Sequence, residues 1–232
     1  MKIKVAGFQK NSFIDYPGMV ASVIFLGGCN MRCYYCHNFE ILAQDSNTKD
    51  FDEILSQLSE QIGFIDGVVI TGGEAALHPH IVHVIKEVKL LGLLVKLDTN
   101  GTNSKLIKQL VEDGLVDYVA MDIKAPLDKY EEVTCAKVNI GEIRSSIQYL
   151  ISQEKVDYMF RTTLAPILSQ EDFQQIGIIL RGAKCFQLQQ FVPNNFSNSH
   201  KVVLFPHTKK DAQGFADIVS KYVNKVIMRG FD

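Results

Sequence analysis

Several features that would place a chain quickly are absent from this one. No low-complexity segment and no Pro- or Ser-rich linker interrupts its 232 residues, of which 47% are apolar. Such a chain buries a large core, and its length favours a single domain over 1–232. No block of like charge stands out among the 24 basic and 26 acidic residues, and the formal net charge is −2. That excludes the electrostatic footprint of a nucleic-acid binder. No charge-free apolar stretch reaches the roughly 20 residues of a membrane helix. Behind the lysines of Met1-Lys2-Ile3-Lys4 there is no long apolar region of the kind a secretory signal needs. The expected compartment is therefore cytoplasmic, where thiols stay reduced and five cysteines are read as ligands or catalysts rather than disulfides. Neither G-x-x-x-x-G-K-[ST] nor G-x-G-x-x-G occurs, so nucleoside-triphosphate and dinucleotide chemistry lack their usual signals.

What is present is an alternation of short apolar runs with longer stretches of helical periodicity, the pattern of parallel β/α units. Strands are predicted at Ala21–Leu26, Gly67–Thr71, Leu94–Thr99, Tyr118–Ile123, Tyr158–Thr163 and Cys185–Phe191, each rich in Val, Ile, Phe, Tyr or Leu. Helices are predicted at Phe51–Ile62, His80–Leu91, Ser104–Asp113, Ile143–Ser152, Glu171–Leu180 and Lys209–Val223. Ser104 reads as an N-cap before the stripe Leu106, Ile107, Leu110, Val111, with Gly114 as the stop. Six such units suit an α/β fold of the partial TIM-like barrel type, (β/α)6, with a doubly wound sheet as the competing architecture. The core barrel is expected over about 21–193, preceded by an N-terminal extension, 1–20, and followed by a C-terminal segment, 194–232.

The unusual residues fall at the carboxyl ends of these strands, where parallel β/α folds build their sites. They are Thr71-Gly72-Gly73-Glu74, Asp98-Thr99-Asn100-Gly101, Asp122-Ile123-Lys124 and Gln189-Gln190-Phe191-Val192-Pro193, with a cysteine cluster beyond the first strand. Cys29, Cys33 and Cys36 have the spacing C-x3-C-x2-C, compact enough for three thiolates to wrap one inorganic cluster. Structural zinc is the alternative; it wants four protein ligands, and His37 is awkwardly adjacent to Cys36 while Cys135 and Cys185 are distant. Three thiolates on a four-iron cubane leave one iron open to a cofactor or substrate.

That spacing, with aromatic Tyr35 before the third cysteine, resembles the signature of the radical S-adenosylmethionine (SAM) superfamily. The resemblance implies a [4Fe–4S] cluster on Cys29, Cys33 and Cys36, and SAM chelated to the open iron. Thr71-Gly72-Gly73-Glu74 resembles the superfamily's GGE motif, whose glycines let the backbone approach the methionine ammonium closely; Ala75 stands where proline is usual. Asp98-Thr99-Asn100-Gly101 and Met121-Asp122-Ile123-Lys124-Ala125-Pro126 resemble segments of the glycyl-radical activating enzymes. There Asn100 would touch the ribose or methionine portion, Lys124 would lie near the methionine carboxylate, and Asp98 with Asp122 would hold a monovalent cation. A structural ion pair is the plain alternative for the lysine and the two aspartates. Arg161 is a weaker candidate for a carboxylate or ribose contact, and Gln189 through Pro193, with Val192, would border the adenine.

Gly7-Phe8-Gln9-Lys10-Asn11-Ser12-Phe13-Ile14-Asp15-Tyr16-Pro17-Gly18, with Gly28-Cys29-Asn30 and Cys36-His37-Asn38, is most similar to the short activating proteins of anaerobic ribonucleoside-triphosphate reductase. Phe39 departs from the proline expected there. This resemblance implies an oxidoreductase that abstracts a glycine hydrogen from a glycyl-radical enzyme, anaerobic ribonucleotide reductase by expectation, with electrons from a flavodoxin- or ferredoxin-type donor. The alternatives are a radical SAM enzyme acting on a small molecule, such as a 7-carboxy-7-deazaguanine synthase, and a non-catalytic metal-binding module. His78, His80 and His83 are read as solvent-facing, Cys135 as an ordinary residue and Cys185 as a buried strand thiol.

Overall fold

Runs rich in Val, Ile and Leu form strands here because both of their faces are covered, so burial is nearly continuous rather than alternating. The computed structural model describes residues 3–43, 48–193 and 205–231. The chain divides into two compact units, one drawn from Met1–Asn30, Asn38–Ala120 and Glu154–Asp157, the other from Met31–His37, Met121–Gln153 and Tyr158–Asp232.

The first unit contains β1 (Lys4–Val5), β2 (Gly7–Ser12), β3 (Ala21–Leu26), β4 (Lys49–Asp50), α1 (Phe51–Ser59), β5 (Gly67–Gly72), α2 (Ile81–Leu90), β6 (Leu94–Thr99) and α3 (Ser104–Glu112). β7 (Tyr118–Asp122) begins in it and ends in the second unit. β3 and β5 pair in parallel from Ala21↔Gly67 to Leu26↔Gly72, and β5 pairs in parallel with β6 from Gly67↔Leu94 to Ile70↔Leu97. Ile24, Leu26, Val68, Val69, Ile70, Val95 and Leu97 are fully buried. β2 runs antiparallel to β3, so the N-terminal extension supplies a strand that its polar sequence, GFQKNS, did not announce.

The second unit contains α4 (Tyr130–Thr134), α5 (Ile140–Ser152), β8 (Asp157–Leu164), α6 (Gln170–Ile179), β9 (Phe186–Gln190), α7 (Lys209–Val219) and β10 (Val226–Arg229). β8 pairs in parallel with β9, Phe160↔Phe186 to Leu164↔Gln190, and β9 with β10, Val226↔Phe186 to Arg229↔Gln189. The C-terminal segment therefore adds β10, a strand too short to stand out as a run. Residues 194–204 lie outside the described residues.

Local chemistry sets the helix ends. The cap of α3 is Asn103, whose side chain accepts from Leu106 N–H at 3.2 Å, one residue before the expected Ser104. Its end is a Schellman turn: Leu115 N–H donates to Leu110 O at 2.9 Å and Gly114 N–H to Val111 O at 3.1 Å, with Gly114 at φ +65°. α6 and α7 each open on a capping box, Ser169 with Asp172 and Thr208 with Asp211. Asn139 caps α5 and starts it at Ile140, about a turn before the apolar stripe begins. Among the described residues, no helix is long and apolar enough to cross a membrane.

Candidate functional site

In the first unit, the loop that follows β5 is laid directly on the loop that leads from β3 to Cys29. Gly73 N–H donates to Leu26 O at 2.9 Å and Glu74 N–H to Gly28 O at 2.8 Å. A Cβ on Gly73 would lie 2.1 Å from Gly28 O and 3.2 Å from Cys29 Cβ, and one on Gly72, at φ +127°, 2.2 Å from Leu26 O. The paired glycines are thus required by the close approach of two backbones, one of which carries a cysteine. Asn38 Nδ2 donates to Gly72 O at 2.9 Å, and the 3-10 turn Phe39–Ile41 returns a carbonyl, Ile41 O, to Gly28 N–H at 2.8 Å. Phe39 opens that turn without a proline.

Glu74 is 1% exposed and its carboxylate is fully engaged. One oxygen accepts from Ala76 N–H at 3.0 Å and Thr99 Oγ1 at 2.6 Å, the other from Asn100 N–H at 2.5 Å. It caps the 3-10 turn Ala75–Leu77 and ties it to the end of β6, supplying the rigidity that a proline at 75 would otherwise give. Asn100 Nδ2 donates to Asn30 Oδ1 at 2.9 Å, while its own Oδ1 accepts from Thr102 N–H and Oγ1 at 3.1 and 2.7 Å. Asn100 thereby fixes the residue next to Cys29. Asp98 pairs with Lys96, a lysine only 2% exposed, and accepts from Thr71 Oγ1 at 3.3 Å. Lys96 was not singled out from the sequence; the one signal was a cation inside an otherwise apolar strand, two residues before an aspartate.

In the second unit, the Met31–His37 loop is held by Arg32 N–H donating to Thr134 O at 2.8 Å. Cys36 N–H donates to Cys33 O at 2.9 Å, so these two thiols share one turn; Cys33 is buried and Cys36 half-buried. Tyr35 is buried, its ring meets Tyr34 edge-on at 5.2 Å, and its hydroxyl has no hydrogen-bond partner. Burial raises the pKa of that hydroxyl, as does the nearby Cys33 thiol, and Lys124 and Asp122 also act on it. Asp122 Oδ1 accepts from Arg161 Nε at 2.8 Å and its Oδ2 from Lys124 Nζ at 3.0 Å. Burial pushes the Asp122 carboxyl up, but Arg161 and Lys124 outweigh it and bring the group to about 2. Burial works against the Lys124 ammonium, yet Asp122 leaves its pKa well above the usual value. One carboxylate thus orders two cationic side chains, Lys124 and Arg161. Lys124 is positioned further by Tyr130, whose hydroxyl accepts its backbone N–H at 3.2 Å. Gln189 is half-buried on β9, and Val192, just beyond, is 54% exposed.

Asp98 and Asp122, expected to share a cation, each carry a cationic partner of their own. Of the histidines read as solvent-facing, His83 is exposed and His80 half-buried, but His78 is buried, accepts from His80 N–H at 3.3 Å, and has its pKa lowered by that burial and by His80. Cys185 is half-buried rather than buried, and it immediately precedes β9; Cys135 is exposed with φ +49°. None of the five cysteines forms a disulfide. Among the described residues, no three His, Cys, Asp or Glu side chains are gathered to hold a single metal ion. The residues nevertheless fit a thiolate-held cluster with a polar cofactor: three thiols within eight residues, and a buried Tyr35 hydroxyl that has no hydrogen-bond partner and feels the Lys124 charge.

The model of the radical SAM superfamily matches residues 23–177. The chain is 33% identical over 235 residues to MJ1227 of Methanocaldococcus jannaschii, whose name carries a provisional assignment as a glycyl-radical enzyme activating enzyme; the match covers 99% of this chain and 97% of that protein. It is 24% identical to the pyruvate formate-lyase 1-activating enzyme of Escherichia coli K12, over 97% of this chain and 98% of the relative. Among solved structures, TYW1 with a bound lysine–pyruvate adduct superposes with a TM-score of 0.65 at 14% identity, over 87% of this chain and 73% of that one. The fold is thus the α/β partial TIM-like barrel. The chain belongs to the radical SAM superfamily and groups with its glycyl-radical enzyme activating enzymes.

Proposed function

We propose that this chain activates a glycyl-radical enzyme, with Cys29, Cys33 and Cys36 holding a [4Fe–4S] cluster and SAM bound beside it. Held by these cysteines, the cluster would supply the one-electron reduction of SAM that makes hydrogen abstraction from a backbone glycine of the partner possible. The full-length correspondence to MJ1227 carries the activase reading.

The chain's own residues bind, orient and exclude water, since the cofactors carry the hard chemistry. Lys124 and Arg161 receive the methionine carboxylate; Asp122 holds both at 3.0 and 2.8 Å and keeps them oriented. Gly72 and Gly73 bring backbone polar groups close to the methionine ammonium, and Glu74 and Asn100 fix those backbones as positioning residues. Tyr35 offers its buried hydroxyl, while Gln189 and Val192 border the adenine. Asp98 takes part through its pair with Lys96. A monovalent cation at Asp98 and Asp122 is left out of this reading, because Lys96, Lys124 and Arg161 already supply positive charge there.

The partner proposed is anaerobic ribonucleotide reductase, on the resemblance of Gly7–Gly18 and of the residues around Cys29 and Cys36, with a flavodoxin- or ferredoxin-type donor. The test is anaerobic incubation of the reduced, cluster-loaded chain with SAM and that reductase, read by electron paramagnetic resonance. A glycyl-radical doublet is expected. 5′-Deoxyadenosine release with no doublet on that reductase, but a doublet on another glycyl-radical enzyme, would replace the partner and keep the activity.

A further inference from the structure

Gln187 of β9 is 6% exposed, and its Nε2 atom is buried with no hydrogen-bond partner. A buried amide donor left unsatisfied is destabilising, so such a donor calls for a partner that the polypeptide does not supply, a water or a bound guest. The parallel register sets Gln187 beside Arg161 of β8 and Ile227 of β10. Cross-strand neighbours point to the same face of a sheet, and residues two apart along a strand share it. Gln187 therefore stands on the face from which Arg161 reaches Asp122, and two residues nearer the carboxyl end than Gln187, Gln189 stands there too.

On that face Arg161 and Lys124 share the Asp122 carboxylate, which therefore has no part in satisfying the Gln187 amide, and Gln187 Nε2 is left with an N–H to donate. A guest that brings an acceptor there takes that N–H, and SAM brings a carboxylate, ribose hydroxyls and adenine ring nitrogens. The buried Gln190 Oε1, on the next residue of β9, points to the opposite face by strand alternation and belongs to different surroundings, with Gln190 Nε2 donating to His207 O at 3.0 Å.

We propose that Gln187 is a cofactor-contacting residue, its side-chain amide donating a hydrogen bond to an acceptor of bound SAM. This rests on the function proposed above. Gln187→Met keeps the volume and removes the polar atoms; Gln187→Glu keeps the shape and removes the donor. Each full-length variant is reconstituted anaerobically and titrated with SAM by calorimetry, and the apo-chain is melted in parallel. Gln187→Met is expected to load iron like the parent and melt about 3 °C higher as apo-chain. Both variants are expected to bind SAM about fivefold more weakly. Unchanged SAM affinity in either variant, or a lower melting point for Gln187→Met, overturns the assignment. A parent chain that loads the cluster yet binds no SAM overturns the proposed function together with it, whereas parent binding matched by both variants sinks Gln187 alone.

Discussion

Asp122 has two cationic partners, Lys124 and Arg161, and this arrangement is the most chemically specific feature of the site. Its carboxyl, held at about 2, lies below the roughly 3.9 of an unfolded aspartate. The native state therefore binds that proton more weakly than the unfolded chain does. The stabilisation, about 2–3 kcal/mol from such a difference, is present above pH about 4 and lost as pH falls through about 2. Urea midpoints of the apo-chain between pH 7 and pH 2 are expected to show it, and Asp122→Asn to flatten that acid limb while lowering the midpoint at pH 7. Equal acid limbs in parent and variant would refute the ion-pair account.

Gly73 and Glu74 are equally demanding. Gly73→Ala puts a methyl 2.1 Å from Gly28 O, so one of the two loops must move, at about 1–3 kcal/mol. Lower melting together with reduced iron loading is expected, because the displaced loop carries Cys29. Glu74→Ala leaves Thr99 Oγ1 and two backbone N–H groups without their acceptor inside the core, and costs about 3 kcal/mol in a denaturant titration. The glycines stood out in the sequence as a pair after a strand, and the structure gives their reason, the close approach of two backbones; the cysteines stood out by their spacing. Lys96, Gln187 and Tyr130 were not legible: the first two read as a polar letter between apolar neighbours and the third as an aromatic in a charged turn, and only the fold reveals the partner, or the missing partner, that gives each its meaning.

At the scale of elements, strands β3 and β6 have the bounds their apolar runs imply, since burial on both faces leaves little choice of residue. Helix ends moved by up to a turn, because caps depend on one side chain reaching one amide. α3 starts after Asn103 rather than Ser104 for that reason, and Asn103→Ala is expected to cost about 1 kcal/mol in thermal denaturation. β2 and β10 stayed hidden because one is polar and the other only four residues long; what makes them strands is the neighbour each pairs with, Ala21–Leu26 and Phe186–Gln190.

At the scale of the molecule, superfamily membership and the cluster spacing were readable from eight residues, Cys29 to Cys36, and full-length relatives place the chain among activating enzymes. Partner choice was not readable in this way, since it belongs to a surface that no short motif encodes. The central claim is that three thiolates on this segment make the radical chemistry possible. Its most direct test is 5′-deoxyadenosine release from SAM by the reduced, anaerobically reconstituted chain, compared with Cys36→Ser. The account predicts turnover by the parent and loss of at least about a hundredfold in the variant, an interaction of about 3 kcal/mol or more in the transition state; release by Cys36→Ser at the parental rate would contradict it.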